Sequence, residues 1–321
     1  MSLGVLNNIS ALYAENNLNQ TQSSLQNVLT QLSSGSRINS GADDAAGLSL
    51  ADGLAANSAA LTQSSANANE GVGLLQVADG ALSQVTSLLN RAVTLATEAS
   101  NGTLDGTQDA AANQEYQSIL SEIDNIGSTT TYNSSQVFGQ TTGSTAVFNT
   151  VDIYTGDSTE AGASVDSLSF ANLNASSVGT TSGAIAYTAA TTSAAATISY
   201  TASGGENLSK TDLYSTTAAT TANPNPSQAD AETALTDLNS AISDVASERG
   251  YIGAQINTLN AVANVESTQQ ENVTSAENTV TATDYASATS QMSKFEILSQ
   301  TGISALSQAN SVQQEVLKLL Q

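Results

Sequence analysis

The chain has 321 residues, a formal charge of −23 and only six basic residues, so neither nucleic acid nor an anionic membrane finds the cationic patch it needs. It contains no Cys and no His, which removes disulfides, thiol nucleophiles, the commonest metal ligand and the commonest general base. A Ser-His-Asp triad and a His-based zinc site are excluded, and four Phe, nine Tyr and no Trp leave little aromatic surface for a cofactor pocket.

No segment reaches the roughly 20 apolar residues of a membrane helix. The beginning, MSLGVLNNISALYAENNLNQ, lacks the basic and continuous apolar regions of a signal peptide. Leu18, Leu25 and Leu32 instead mark one row spaced by seven, the trace of a sparse helical stripe. The stretch LSSGSRINSGADDAAGLSLA (32–51) then gathers Arg37, three glycines and the pair Asp43-Asp44. Adjacent residues on a helix point about 100° apart, so the two carboxylates do not converge on one ion. As helix-start residues they make ordinary sense, and Arg37 reads as a structural or inter-subunit contact.

A helix is expected from about 45 to 100. Leu74, Ala78, Ala81, Val85, Leu88, Ala92, Leu95 and Ala99 step by four and three, a heptad seam with no polar interruption. A second row, Leu54, Leu61, Ala68, Leu75, Leu82, Leu89 and Ala96, widens the stripe. At 1.5 Å per residue such a helix is roughly 80 Å long, and Asn101-Gly102 supplies its stop. A shorter helix carries Ala112, Tyr116, Ile119, Ile123 and Ile126 in the same rhythm.

The middle, from about 140 to 227, is dominated by Thr, Ser, Ala and Gly. Alternating runs at 146–148, 151–154 and 196–200, separated by the turn pairs Gly156-Asp157 and Gly204-Gly205, predict β-hairpins. Both prolines lie in the tetrapeptide NPNP (223–226), a rigid re-entry into helix. Beyond it Leu235, Leu238, Ile242, Val245, Arg249, Ile252, Ile256, Leu259 and Ala263 repeat the heptad rhythm, broken only by Arg249. That Arg either snorkels at the edge of the core or pairs with an acid across the bundle or on a neighbour. Phe295, Leu298, Ile303, Leu306, Val312, Val316, Leu319 and Leu320 give the C-terminal segment one apolar face. Thin terminal stripes bury too little to offset ordering entropy alone, so each end requires a partner from its own chain or another.

The expected fold is mainly α: an elongated, multi-helix, coiled-coil-like rod formed by the N- and C-terminal segments, with a β-hairpin and a small β-rich outer insert. Its core is expected at Leu74, Val85, Leu88, Leu95, Ile119, Ile123, Ile242, Val245, Ile252, Ile256 and Leu259.

Three long stretches carry a resemblance. LSSGSRINSGADDAAGLSLA, NANEGVGLLQVADGALSQVTSLLNRAVTLATEASNGT (67–103) and EIDNIGSTTTYNSSQVF (122–138) resemble the N-terminal region of bacterial flagellin. ERGYIGAQIN (248–257) and TDYASATSQMSKFEILSQTGISALSQANSVQQEVLKLL (283–320) resemble its C-terminal region. The likeness covers about 1–140 and 228–321, in the expected order; the middle carries none. It implies a structural, non-enzymatic subunit, without cofactor, that is exported and polymerises into the extracellular flagellar filament for motility. The implied divisions are 1–42 with 286–321 as inner-tube helices, 43–175 with 228–285 as rod and β-hairpin, and 176–227 as a variable outer module.

On that resemblance Leu18, Leu25, Leu32, Arg37, Phe295, Leu298, Ile303, Leu306, Val312 and Val316 are self-assembly residues. The implied partners are further copies of the chain, an export chaperone at the C-terminal helix, and the filament cap and junction proteins, with glycans on the outer module. The alternative is the hook–filament junction protein, whose family tends to have Pro directly after the Asp pair, where Ala45 stands here. The family commonly has Arg at the place of Asn278 or Thr279 and at Thr258, so some inter-subunit ion pairs are missing. In flagellins sensed by the animal innate receptor, one helix offers an Arg, a Glu and a Leu. Arg91 and Leu95 match that set, whereas Thr94 replaces the Glu.

Overall fold

Heptad spacing, caps and turn residues settle the elements in turn. The structure, a computed structural model, describes residues 8–101, 103–139, 141–142, 145–146, 149–156, 165–170, 173, 186–188, 197–199 and 226–319. Helix α1 (Ile9–Ser34) starts where the Asn8 side chain accepts from the Ala11 N–H and ends at Gly35, whose φ of +73° is the left-handed cap glycine tolerates. Helix α2 (Ala45–Ser100) runs 56 residues and stops one residue before Asn101. Helix α3 (Gly106–Thr129) opens with a capping box: Asp105 accepts from the N–H groups of Thr107 and Gln108, and the Gln108 side chain accepts from Asp105 N–H. Helix α4 (Pro226–Thr281) places the second proline of NPNP at its first position, where a missing N–H costs no helical bond. Helix α5 (Tyr285–Leu319) completes the series.

Between α3 and α4 the described strands form four antiparallel pairs. They are β1 (Thr131–Tyr132) with β2 (Ser135–Gln136), β3 (Thr141–Thr142) with β4 (Thr145–Ala146), β5 (Asn149–Tyr154) with β6 (Val165–Phe170), and β7 (Ala186–Thr188) with β8 (Thr197–Ser199). The expected runs at 151–154 and 196–200 fall on β5 and β8, and Gly156 turns the chain at φ +133°. The run at 146–148 divides instead between the end of β4 and two residues outside the described set, and Gly204-Gly205 lies outside it as well. The expected outer module, 176–227, lies outside the described residues except for β7, β8 and the first two residues of α4.

Two compact units divide the chain, 1–59 with 270–321 and 60–269, so the division falls inside α2 and α4 rather than in the loops that precede and follow them. In the first unit α1 and α5 pack together antiparallel, with Asn8 Nδ2 donating to the Ala309 carbonyl at 2.9 Å and Leu18 against Gly302. The less exposed residues of α1 include the row Ala11, Ala14, Leu18, Thr21, Leu25, Val28 and Leu32, with Ser24 and Gln31 beside it. Those of α5 include the row Ala288, Met292, Phe295, Ser299, Gly302, Leu306 and Ala309, with Ser311 beyond it. Both rows alternate steps of three and four, the pattern of a two-helix seam.

In the second unit α2 and α4 run antiparallel, the Ser64–Glu266 and Asp79–Arg249 contacts giving the direction. Leu74, Val85, Leu95, Ile119, Ile123, Val245, Ile252 and Leu259 are buried, while Leu88, Ile242 and Ile256 pack partly exposed against the core. The most buried positions of α2 are Leu75, Leu82, Leu89 and Ala96 together with Ala78, Val85 and Ala92; on α4 Ala234 and Ala241 join Leu238 and Val245. Helices that must meet more than one neighbour bury a wider stripe than a two-helix seam. Within α2 one 18-residue window reaches a mean hydropathy of 1.2, apolar and long enough to cross a membrane by length and composition. Its leucines at 75, 82 and 89 lie in this protein core.

The β5–β6 hairpin turns Leu168 and Phe170 into the same core, where Phe170 meets Phe138 edge-on with ring centroids 6.5 Å apart. Gly127 lets the chain lie against α3: a Cβ there would stand 1.8 Å from the Leu173 carbonyl oxygen. The tight turn of β1–β2 carries Asn133 at φ +49° and Ser134 at φ +64°, the pair of left-handed conformations that a two-residue hairpin loop demands. Serine holds that conformation against its own Cβ. Ser134→Gly is expected to raise stability by about 1 kcal/mol in denaturant unfolding; an unchanged or lowered midpoint would show that the turn is unstrained.

Candidate assembly surface

The loop joining α1 to α2 is built from its polar residues. Arg37 N–H donates to the Thr281 carbonyl at 2.7 Å and Thr283 N–H to the Gly35 carbonyl at 3.0 Å, so Ser36 and Ala282 form an antiparallel bridge. The Arg37 guanidinium donates through Nη2 to the Val280 carbonyl at 2.9 Å and is otherwise exposed. Gly35 is constrained from both sides, since a Cβ would come 2.9 Å from the Tyr285 hydroxyl.

Asp43 and Asp44 do separate work. One oxygen of Asp43 accepts from Asn39 N–H, Ser40 N–H and the Ser40 hydroxyl, which stitches the loop shut. These bonds, the Asn39 one foremost, hold its carboxyl below the usual carboxylate range. Asp44 accepts from the Gly47 N–H at 2.8 Å and caps the start of α2.

Across the α1–α5 pair the residues singled out in the sequence divide. Leu18, Leu25, Leu32, Phe295 and Leu306 sit in the seam, whereas Leu298 and Ile303 are exposed. The side chains of Val312 and Val316 lie outside the described residues. Exposed apolar residues that the sequence stripe does not predict lie on the outside of the pair. Ile9 and Ile297 fall opposite the seam by their spacing, and Leu12 and Tyr13 occupy its shoulders; Tyr13 is 68% exposed and Ile297 67%.

In the second unit Arg249 Nε donates to Asp79 Oδ1 at 2.8 Å. Arg249 lies at the edge of the core, between the two sequence-based alternatives: it snorkels out and finds its acid on α2. The pair is solvent-screened, contributes under about 1 kcal/mol, and holds the guanidinium pKa above its ordinary value. Arg91 Nε donates to Glu115 Oε1 at 2.7 Å, joining α2 to α3 and holding the Glu115 carboxyl low. Leu95, matched to a receptor contact by resemblance, is only 3% exposed and faces the core, so it presents no surface to another protein. Thr94 uses its hydroxyl on the Arg91 carbonyl at 2.6 Å.

One cluster has no signal in the sequence rhythm. The Ser64 hydroxyl, itself buried, donates to a carboxylate oxygen of Glu266 and accepts from Gly156 N–H. Glu266 is 4% exposed, with its second oxygen unpartnered. Asn67 Nδ2 donates to the Tyr154 carbonyl at 3.0 Å, and Ile153 packs on Gly71. The end of β5 is thereby pinned to one face of α2. A Glu within an otherwise polar heptad stretch looks like a solvated residue, and only contacts from α2 and from the turn after β5, both far earlier in the chain, bury it.

Two terminal helical segments that pack along each other, in a chain whose described residues are mostly long helices, define the architecture of a helical structural protein. The family model of the bacterial flagellin N-terminal helical region matches residues 5–142, and that of the C-terminal helical region matches residues 235–320. Among similar proteins, flagellin of Listeria monocytogenes is 30% identical over 98% of each chain. Flagellin of Halalkalibacterium halodurans is 29% identical, again over 98% of each. The crystal structure of Bacillus cereus flagellin aligns over 62% of this chain and 88% of its own, with 25% identity and a TM-score of 0.41. The chain belongs to the bacterial flagellin family.

The depressed pKa of Asp43 makes the loop pH-sensitive. Its contribution is fully present above the ordinary carboxylate value and is lost as pH falls through the lower, folded value. Amide exchange at Asn39 and Ser40 is expected to accelerate in acid beyond its intrinsic trend in the native protein. Asp43→Ala should exchange fast at every pH; a variant as protected as the native protein would refute the stitching role.

Proposed function

We propose that this chain is a structural, non-catalytic subunit that polymerises into an extracellular flagellar filament serving motility, with α1 and α5 as its principal self-association surface. The observation that carries the reading is the apolar exterior of the terminal pair. Ile9, Leu12, Tyr13, Ile297, Leu298 and Ile303 are exposed on helices whose seam is already filled by other side chains. Exposed large apolar groups in a contiguous pair favour association, since burying one stabilises by roughly 1.5–3 kcal/mol. Further copies of the same chain supply the complementary surface in a helical polymer.

Charge supports the same division of labour. Among the described residues Arg91 and Arg249 are spent within the chain, while Arg37 has no acidic partner. In the filament Arg37 meets a carboxylate of a neighbouring copy, and the remaining contacts are apolar or hydrogen-bonded. Residues 1–42 with 286–321 serve as inner helices, 43–175 with 228–285 as the surrounding helical layer, and 176–227 as the projecting module. Before assembly the exposed face of α5 is the place for an export chaperone. Filament cap and junction proteins meet the same terminal surface, and glycans attach on the outer module.

The test is polymerisation of purified protein by precipitant or seed. Ile297→Ser with Ile303→Ser is expected to abolish sedimentable filaments while leaving the unfolding midpoint of the α2–α4 core unchanged. Filaments formed at the native critical concentration would overturn the proposal.

A further inference from the structure

The charge of −23 is not spread evenly along the chain. Residues 1–42 and 285–321 together hold three acids, Glu15, Glu296 and Glu315, and three bases, Arg37, Lys294 and Lys318. These terminal segments are therefore neutral, and the whole acidic excess belongs to 43–284. We propose that Lys294 of one copy donates a charge-assisted hydrogen bond to Glu15 of the next. The outward side of α5 on one copy then lies against the outward side of α1 on its neighbour. The inference rests on the polymerisation proposed above and specifies which surfaces meet in it.

Glu15 is the single charged residue of α1, and Lys294 is the one base on α5 whose side chain is described. Both are exposed, and neither forms an ion pair among the described residues. The Lys294 ammonium stands 5.9 Å from the centre of the Phe295 ring, a contact that leaves its N–H groups for an oxygen acceptor. Glu296 is badly placed to accept, because residues two apart on a helix point to different sides. Glu15 of the same chain is out of reach. Leu18 lies against Gly302, so in the antiparallel pair Glu15 is level with about residue 305, roughly 16 Å along the axis from Lys294. That is beyond the joint span of the two side chains.

Each charge stands beside apolar surface that the chain leaves uncovered. Lys294 precedes Ile297 and Leu298 by three and four positions, and Glu15 follows Leu12 by three, spacings that make them neighbours on one side of each helix. Ile297, Leu298 and Leu12 are all exposed. One patch is thus apolar with a cation, and the other apolar with an anion. A helical polymer joins two different patches of successive copies, which this complementary couple satisfies. Because the terminal segments carry no net charge, a single well-placed pair is enough to select one register among contacts that are otherwise apolar.

The full-length protein is polymerised by precipitant or seed, and its critical concentration is read by sedimentation. Lys294→Glu and Glu15→Lys, which set like charges together, are each expected to raise that concentration about tenfold or more. The double variant Lys294→Glu/Glu15→Lys should return it to near the native value. A Lys294→Glu protein with the native critical concentration, a double variant no better than either single one, or rescue of Lys294→Glu by Glu296→Lys instead would each overturn the pairing while leaving the polymerisation standing. Failure of the native protein to polymerise under any condition would overturn the pairing together with the reading on which it rests.

Discussion

The antiparallel seam of α1 and α5 is the constraint on which the arrangement of the ends depends. It joins residues 301 positions apart, as the Asn8–Ala309 bond shows. Closing so long a loop costs entropy, but the cost grows only by about 0.6 kcal/mol for each doubling of length. The central segment is therefore free to vary in size with little penalty to the union of the ends. Where the loops beside α1 and α5 meet, the Ser36–Ala282 bridge and the Arg37 bonds to the 280–281 carbonyls fix their mutual register.

Apolar packing carries the second unit. The ion pairs there are solvent-screened links between helices already held by Leu75, Leu82, Leu89, Leu238 and Ile252. Arg249 interrupts a heptad row without interrupting the core, because that row borders the buried stripe rather than running down its centre. The buried Ser64–Glu266 contact is different in kind. A half-satisfied buried carboxyl is a poor source of stability, and its value lies in fixing where β5 ends against α2.

The scarcity of basic residues shapes the surfaces as well. With two arginines engaged inside the second unit, the charge of −23 leaves few cations for any contact between copies. Burial of exposed apolar side chains is then the dominant attraction available, and it is the one kind of contact that the repulsion between acidic surfaces does not directly weaken.

Helices and the membership of the bacterial flagellin family were legible in the sequence, since heptad spacing, the Asn101-Gly102 stop and the NPNP prolines act locally, whereas the caps at Asp105 and Gly35 appear only in the structure. The two-row stripe of α2 was visible too, but not that Ala81 and Leu88 would stay partly exposed beside it. Ala234 and Ala241 are small residues whose burial depends on what faces them, and Leu95 reads equally as a core or a surface residue until its neighbours are in place. The outward faces of Ile9 and Ile297, the unequal duties of Asp43 and Asp44, and the burial of Glu266 are products of tertiary packing. Periodicity records the direction of a side chain relative to its own helix. Only the folded chain decides what stands opposite it.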